Sequence, residues 1–238
     1  MSKNVKRGYV PSDEKEFMGI QLEHLKEAAK DTLYLLNRGY AVKNATTFIG
    51  NHYMFSERQR LALARGVSSD AAVKERKAKQ IYTGNKGMTV HIDGFNTIIS
   101  LEVALSGSPL LHCNDGTIRD LAGLRGTYRI IDKTKTAIRL ILEQLQLLKI
   151  EEVIFYLDAP VSNSGRLKTL ILQLAEEYSF RVLVEVINDV DRVLEKLSCV
   201  ISSDAIILNK CESWLNLVSS IVTSIPDVWL VHLLDSDI

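Results

Sequence analysis

The sequence predicts an α/β protein with a mostly parallel sheet, preceded by an all-helical N-terminal module. Three observations carry this. From Pro11 to about Lys79 apolar residues recur at helical spacing. Beyond the turn-rich stretch Tyr82-Thr83-Gly84-Asn85-Lys86-Gly87, short β-branched runs alternate with amphipathic ones, the pattern of buried strands joined by crossover helices. Charge also divides there: residues 1–88 hold sixteen Lys and Arg against nine Asp and Glu, and residues 89–238 hold thirteen against twenty. The expected division is a basic helical module, residues 1–84, and an α/β domain, residues 88–238.

The elements follow in order. Ser12-Asp13-Glu14-Lys15-Glu16 starts a helix with acids in its first turn, and Met18, Leu22, Leu25, Ala29, Leu33 and Leu36 continue it on one face up to Arg38-Gly39. A second helix covers about 43–51. A third begins at Ser56, with Gln59 completing a capping box, and ends near Gly66. Ser68-Ser69-Asp70 caps a fourth, strongly basic helix. No strand is needed in this half. The second half opens with the strand MTVHI (88–92) and the helix TIISLEVAL, followed by a short strand SPLLHC (108–113) and a loop or short helix over 114–129. Then come a helix over 133–148, the strand VIFYL (153–157), a helix over 165–178 and the strand RVLVEVI (181–187). A short helix at 189–197, the strand CVISS (199–203), a helical stretch over 204–218 and a last strand VWLVHLL (228–234) complete the pattern.

Composition bounds the class. An apolar fraction of 46% suffices for a real core, and four prolines and thirteen glycines exclude collagen-like or low-complexity chains. The first residues, MSKNVKRGYVPSDEKEF, hold no apolar signal core, and no run approaches the roughly 20 apolar residues of a spanning helix. Cys113, Cys199 and Cys211 stand far apart without a CxxC, which argues against a disulfide framework or a zinc site. The expectation is a cytoplasmic protein without a membrane partner; its oligomeric state is open, a homodimer included.

Function is sought where the strands end, because ligands of open α/β sheets bind outside the carboxyl ends of the strands. Asp93, with Gly94 and Asn96, follows the first strand. Asp158 follows VIFYL, Asn188, Asp189 and Asp191 follow RVLVEVI, Ser202, Ser203 and Asp204 follow CVIS, and Asp235 and Asp237 follow the last strand. Any one of these acids is an ordinary helix N-cap. Asp93, Asp158 and Asp204 together are harder to explain so. Converging carboxylates repel one another, and Mg²⁺ or Mn²⁺ relieves the conflict while suiting a phosphate substrate. Gly94 would allow a sharp turn after Asp93, and Asn96 would hold a carboxylate or a water. The loop 114–129 offers Asp115, Asp120, Arg119, Arg125 and Arg129 for an ion and for phosphate oxygens, or else a solvated surface with local ion pairs. The segment VSNSGR (161–166), with Ser162 and Arg166, is either an anion cradle or a plain helix-capping turn.

Asp93-Gly94-Phe95-Asn96 after the first strand resembles the opening motif of the PIN-like nucleases, especially their NYN branch. Ser203-Asp204-Ala205 resembles their S-x-D or G-D-x-D element, and Asp158 fits the same scheme. This likeness covers about residues 88–238. The whole chain is similar to an uncharacterised prokaryotic family, known by domains of unknown function, that joins a helical module to a PIN-like domain. The resemblance implies a three-layer α/β/α domain around a central parallel sheet, a cluster of three or four acids, Mg²⁺ or Mn²⁺, and RNA as substrate. It carries over Asp93, Asn96, Asp158 and Asp204 as the catalytic set, with Asp93, Asp158, Asp204 and Asp120 toward the metal. Glu102, Asp115, Asp120 and Asp189 compete to complete the cluster, with Glu102 also readable as a residue turned to solvent. SSDAII lacks the second aspartate of a full G-D-x-D.

RNA would draw phosphate contacts from Lys74, Arg76, Lys77 and Lys79, and stacking from the aromatic–arginine stretch 51–60. In the alternative, Tyr53 and Phe55 pack the helical core and the two halves neutralise each other internally. Two functional classes therefore stand: a metal-dependent ribonuclease, and a non-catalytic RNA- or protein-binding module on the same fold. Dinucleotide and P-loop enzymes are disfavoured by the absence of GxGxxG after the first strand and of GxxxxGK[ST]. An aspartyl phosphatase would want a D-x-D start. His91 and His112 read as strand histidines.

Overall fold

The structure, a computed structural model, describes residues 5–84, 87–123 and 126–234. Arg125, Asp235 and Asp237 lie outside the described residues. The N-terminal region folds as α1 (Asp13–Phe17), α2 (Gly19–Leu36), α3 (Val42–His52), α4 (Glu57–Gly66) and α5 (Asp70–Lys79). The helix expected to run on from Ser12 breaks into two because Gly19 takes φ +55°, a conformation glycine adopts without a steric penalty. The capping box of α4 forms: Ser56 Oγ accepts from the Gln59 N–H at 3.2 Å, and Gln59 Oε1 accepts from the Ser56 N–H at 3.1 Å.

Next come β1 (Gln80–Ile81), β2 (Thr89–Asp93), α6 (Gly94–Leu105), β3 (Leu110–His112) and β4 (Ile118–Asp120). They are followed by α7 (Thr134–Leu147), β5 (Glu152–Asp158), α8 (Ser164–Ala175), β6 (Arg181–Ile187), α9 (Val190–Leu194) and β7 (Val200–Ile201). The remaining elements are α10 (Ala205–Lys210), β8 (Trp214–Leu215), α11 (Leu217–Val222) and β9 (Leu230–His232). Six strands form one all-parallel sheet in the order β1-β8-β7-β2-β5-β6. Successive side chains point to opposite faces. Val90, Ile92, Val153, Phe155 and Leu157 therefore pack with Ile98, Ile138, Ile141, Leu167, Ile171 and Ile221, from α6, α7, α8 and α11. Ile154, Tyr156, Val200 and Trp214 pack on the other side with Val190, Leu194, Ile207 and Leu208, from α9 and α10. The result is a three-layer α/β/α fold.

A second, smaller sheet has the order β4-β3-β9, with β3 antiparallel to β4 and parallel to β9. Leu110, Ile118 and Leu230 join the main core, whereas Leu111, Val231 and Leu233 join the core of the helical region with Phe17, Leu25 and Leu63. The last strand thus belongs to this bridging sheet and not to the central one.

Three further elements differ from the sequence reading. A strand, β1, does occur in the basic half, because the chain leaving α5 runs directly onto the sheet edge beside β8. Strand β8 interrupts the stretch expected to be helical from 204 to 218; two residues are too few to register as a period. Strand β4 lies inside the polar stretch 114–129, where Arg119 and Asp120 are buried.

The two charge halves meet through ion pairs. Arg7 Nε lies 2.9 Å from Glu102, Arg76 2.5 Å from Asp115 and Arg65 3.6 Å from Asp120, each a base of the front half against an acid of the back half. In the stretch 51–60, Phe55 is buried and stacks on Tyr53 at 5.3 Å, and Arg60 donates to the carbonyls of Phe55 and Gly50. Arg58 serves Asp13 and the carbonyls of Leu121 and Gly8. Among the described residues no helix is long and apolar enough to cross a membrane.

Candidate active site

Parallel strands β2, β5 and β7 deliver their last residues to the same edge of the sheet. There a cleft of about 640 Å³ opens between the sheet edge and the helical region. Its acids are Asp93, Asp120, Asp158, Asp191 and Asp204; Arg65, Arg119, Asn96 and Ser203 also line it. Val42 and Ala64 bring the helical region to its wall, and Ala205 and Ile206 the first turn of α10.

Asp93 ends β2 and caps α6. One carboxylate oxygen accepts from the Asn96 N–H at 3.4 Å and the other from Ser202 Oγ at 2.9 Å. Burial, opposed by the Ser202 hydrogen bond and reinforced by the charges of Asp191 and Asp204, pushes its pKa up to about 7. No cation pairs with Asp93 among the described residues. Gly94 is required here by close packing, because a Cβ would stand 2.6 Å from Leu157 Cδ2 and 2.9 Å from the Tyr156 carbonyl. Its φ is not positive, so the expected reason, a sharp turn, gives way to the approach of α6 to β5.

Asn96 meets the Asp93 carboxylate through its backbone N–H and not through its side chain. Its Oδ1 accepts from the Ser203 N–H and from Ser203 Oγ, both at 2.9 Å, and so pins the end of β7 to α6. Asp204 caps α10, accepting from the Ile206 N–H at 2.6 Å and the Ile207 N–H at 3.3 Å. Asp158 ends β5 and accepts from the Val190 N–H at 3.4 Å through Oδ1; burial raises its pKa, with Asp189 adding to the shift. Asp191, in the first turn of α9, has a partly desolvated carboxylate whose pKa is raised first by that desolvation and then by Asp204 and Asp158. Asp191 thus stands between the others: its charge adds to the shift of Asp93, and its own carboxylate is raised by Asp204 and Asp158.

The remaining predicted residues fall elsewhere or are committed. Asp120 lines the cleft but accepts from Ser100 Oγ at 3.0 Å and the Ala122 N–H at 2.8 Å. Asp115 is buried outside the lining, where burial works to raise its pKa but Arg119, Thr117 and Arg76 together hold it below the usual carboxylate range. Arg119 is buried and spends its guanidinium on Asp115 and on the carbonyls of Ser203 and Arg65. Glu102 is fully buried, not turned to solvent; it accepts from Tyr128, Thr134 and Arg7. Ser162 exchanges hydrogen bonds with the Tyr128 backbone, and Arg166 and Arg129 are exposed; none of the three lines the cleft. Asp189 takes φ +54° ahead of α9 and stays outside the lining.

Two contributors were not singled out from the sequence. Asp191 carried a signal, standing four residues past β6. Arg65 carried none, because it lies inside an ordinary helical period. All-oxygen donors and the unrelieved charge around Asp93 suit a hard divalent cation. Among the described residues, however, no three acids stand close enough to grip one ion together. What the donors fit is the open coordination of Mg²⁺, in which one or two carboxylates leave the other positions to water and phosphate.

Residues 83–220 match the family model described as a domain of unknown function (DUF5616), and residues 24–79 match a protein of unknown function (DUF434). An uncharacterised protein of Methanocaldococcus jannaschii, MJ0935, is 38% identical over 186 residues, covering 77% of this chain and 88% of its own length. No solved structure matches the chain. The chain, whose acidic cleft is built almost wholly from the stretch following residue 83, belongs to the DUF5616 family.

Proposed function

We propose that this protein is a PIN-like, divalent-cation-dependent ribonuclease working at the acidic cleft, in the cytoplasm. The observation that carries the reading is Asp93: a buried carboxylate with no cationic partner among the described residues, raised to about 7 with Asp191 and Asp204 adding to the shift. A site of this kind gains from a cation and from the phosphate that accompanies it. Asp93 with Asp191 or Asp204 would hold Mg²⁺ or Mn²⁺, which when bound polarises a phosphoryl oxygen and lowers the pKa of a water. Ser202 orients the Asp93 carboxylate, and Asn96 fixes the loop that carries Asp204. Asp158, whose Oδ2 makes no hydrogen bond among the described residues, would take the proton of the attacking water. Val42 and Ile206 border the cleft with exposed apolar surface, which suits a nucleotide base better than a bare phosphate ester. The three cysteines are free thiols, in keeping with a reducing compartment.

The experiment is cleavage of a single-stranded RNA with Mn²⁺. Wild type is expected to cut it and Asp93→Asn to lose at least about a hundredfold in rate; equal cleavage by the variant removes Asp93 from the chemistry. A second reading, a non-catalytic RNA- or protein-binding module, is favoured by one observation, the lack of three acids at metal spacing among the described residues. It predicts no Mn²⁺ or Mg²⁺ binding at millimolar levels, alongside RNA affinity that falls with salt.

A further inference from the structure

Five aspartates line the cleft and disfavour a phosphodiester, so a substrate phosphate needs a cation within the same cleft. Among the described residues two arginines line it, Arg65 and Arg119. Arg119 is only 6% exposed, and each of its three nitrogens is taken: Nε donates to the Ser203 carbonyl, Nη1 to the Arg65 carbonyl and Nη2 to Asp115. Recruiting it would strip the buried Asp115 of a partner.

Arg65 differs in each respect. It stands in the last turn of α4, its side chain is 36% exposed, and Nη1 donates to the Asp120 carbonyl at 2.6 Å. The Asp120 carboxylate is 3.6 Å away, longer than a hydrogen bond. Nε and Nη2 have no hydrogen-bond partner among the described residues. The backbone beneath is held firmly. The Arg65 carbonyl accepts from Arg119 and Cys113, the Asn114 N–H donates to the Gly66 carbonyl at 3.3 Å, and the Asn114 side chain bridges both backbone groups of Ser68. A fixed base with two unused donors on a planar head is the arrangement that grips a phosphate.

We infer that Arg65 binds the substrate phosphate, so that the helical region contributes a substrate contact to a site whose acids come from the α/β domain. This rests on the phosphodiester reading above.

The test uses full-length protein carrying Asp93→Asn, so that binding is read without cleavage, with a short single-stranded RNA titrated at several salt concentrations. Adding Arg65→Gln is expected to weaken binding about tenfold and to flatten the salt dependence by roughly 0.7 in log–log slope, the share of one phosphate contact on a single strand. Arg65→Lys, which keeps the charge but not the fork, should restore the slope and part of the affinity. Lys26→Gln, on the exposed face of α2, should change neither. An Arg65→Gln protein with unaltered melting temperature, affinity and slope overturns the inference while leaving the acidic site standing. Failure of wild type and Asp93→Asn alike to bind RNA overturns the phosphodiester reading and the inference with it.

Discussion

Acids at two places in this molecule are treated in opposite ways. Asp13, Glu102 and Asp115 lie fully within the protein and each has a cation: Arg58 for Asp13, Arg7 for Glu102, and Arg76 with Arg119 for Asp115. Asp93 is nearly as buried, yet its strongest side-chain partner is a serine hydroxyl and its charged neighbours are acids. The first set closes every account locally and ties the helical region to the α/β domain. The second leaves charge unbalanced at the edge of the sheet, where β2, β5 and β7 end. Paired acids mark what holds the fold, and unpaired ones mark where a ligand belongs.

The comparison breaks most visibly at Asp115. Asp115→Ala leaves two buried guanidinium groups without their shared carboxylate and should destabilise by about 3–5 kcal/mol in urea unfolding; a loss below about 1 kcal/mol would mean that the cluster is not structural. Its pH signature has a definite sign. Because the folded pKa is lowered, its contribution is present above the unfolded value of about 3.9 and is lost as pH falls through the folded one.

Asp93 should behave in the opposite sense. Its folded pKa of about 7 lies above the ordinary 3.8. The folded state therefore holds a proton that the unfolded chain releases, and stability falls as pH rises from about 4 to 7. Asp93→Asn removes this penalty. Thermal unfolding at pH 8 should show a variant more stable than wild type by at most about 4 kcal/mol, with the gain gone at pH 4. Equal stability at both pH values would show that Asp93 is not under electrostatic strain.

Smallest is the effect on an exposed pair. Lys26 and Glu23 are 2.9 Å apart on the surface of α2, and Lys26→Ala should shift stability by no more than about 0.5 kcal/mol. A larger change would blur the distinction between buried and surface charge on which the comparison depends.

How much of this the sequence disclosed follows from where each signal resides. Asp93 and Asn96 were legible because an apolar strand running into D-G-x-N is a local pattern, and Ser56 with Gln59 because a capping box spans four residues. Strand β4 was hidden: Ile118-Arg119-Asp120 is polar in two of three positions, and its burial is made possible by Asp115 four residues before Arg119 and by Arg65 and Ser100 from elsewhere in the chain. Glu102 looked like a polar break in an apolar helix, because Arg7, 95 residues away, supplies its partner. Arg65 was beyond reach for the same reason. A helix period says which face is buried but not that a cleft opens beside it. Asp191 stood in plain view, displaced from the strand end by the turn at Asp189.

Calorimetric titration of the wild-type protein with Mn²⁺ from pH 6 to pH 8 tests most directly whether the unbalanced acids at the sheet edge take up a cation. If Asp93 gives up its proton to the ion, affinity should rise about fivefold between pH 6 and pH 7 and about tenfold in all by pH 8, with proton release, and Asp93→Asn should lose it. Binding that ignores pH, that persists unchanged in Asp93→Asn, or that is absent at millimolar Mn²⁺ would contradict the assignment.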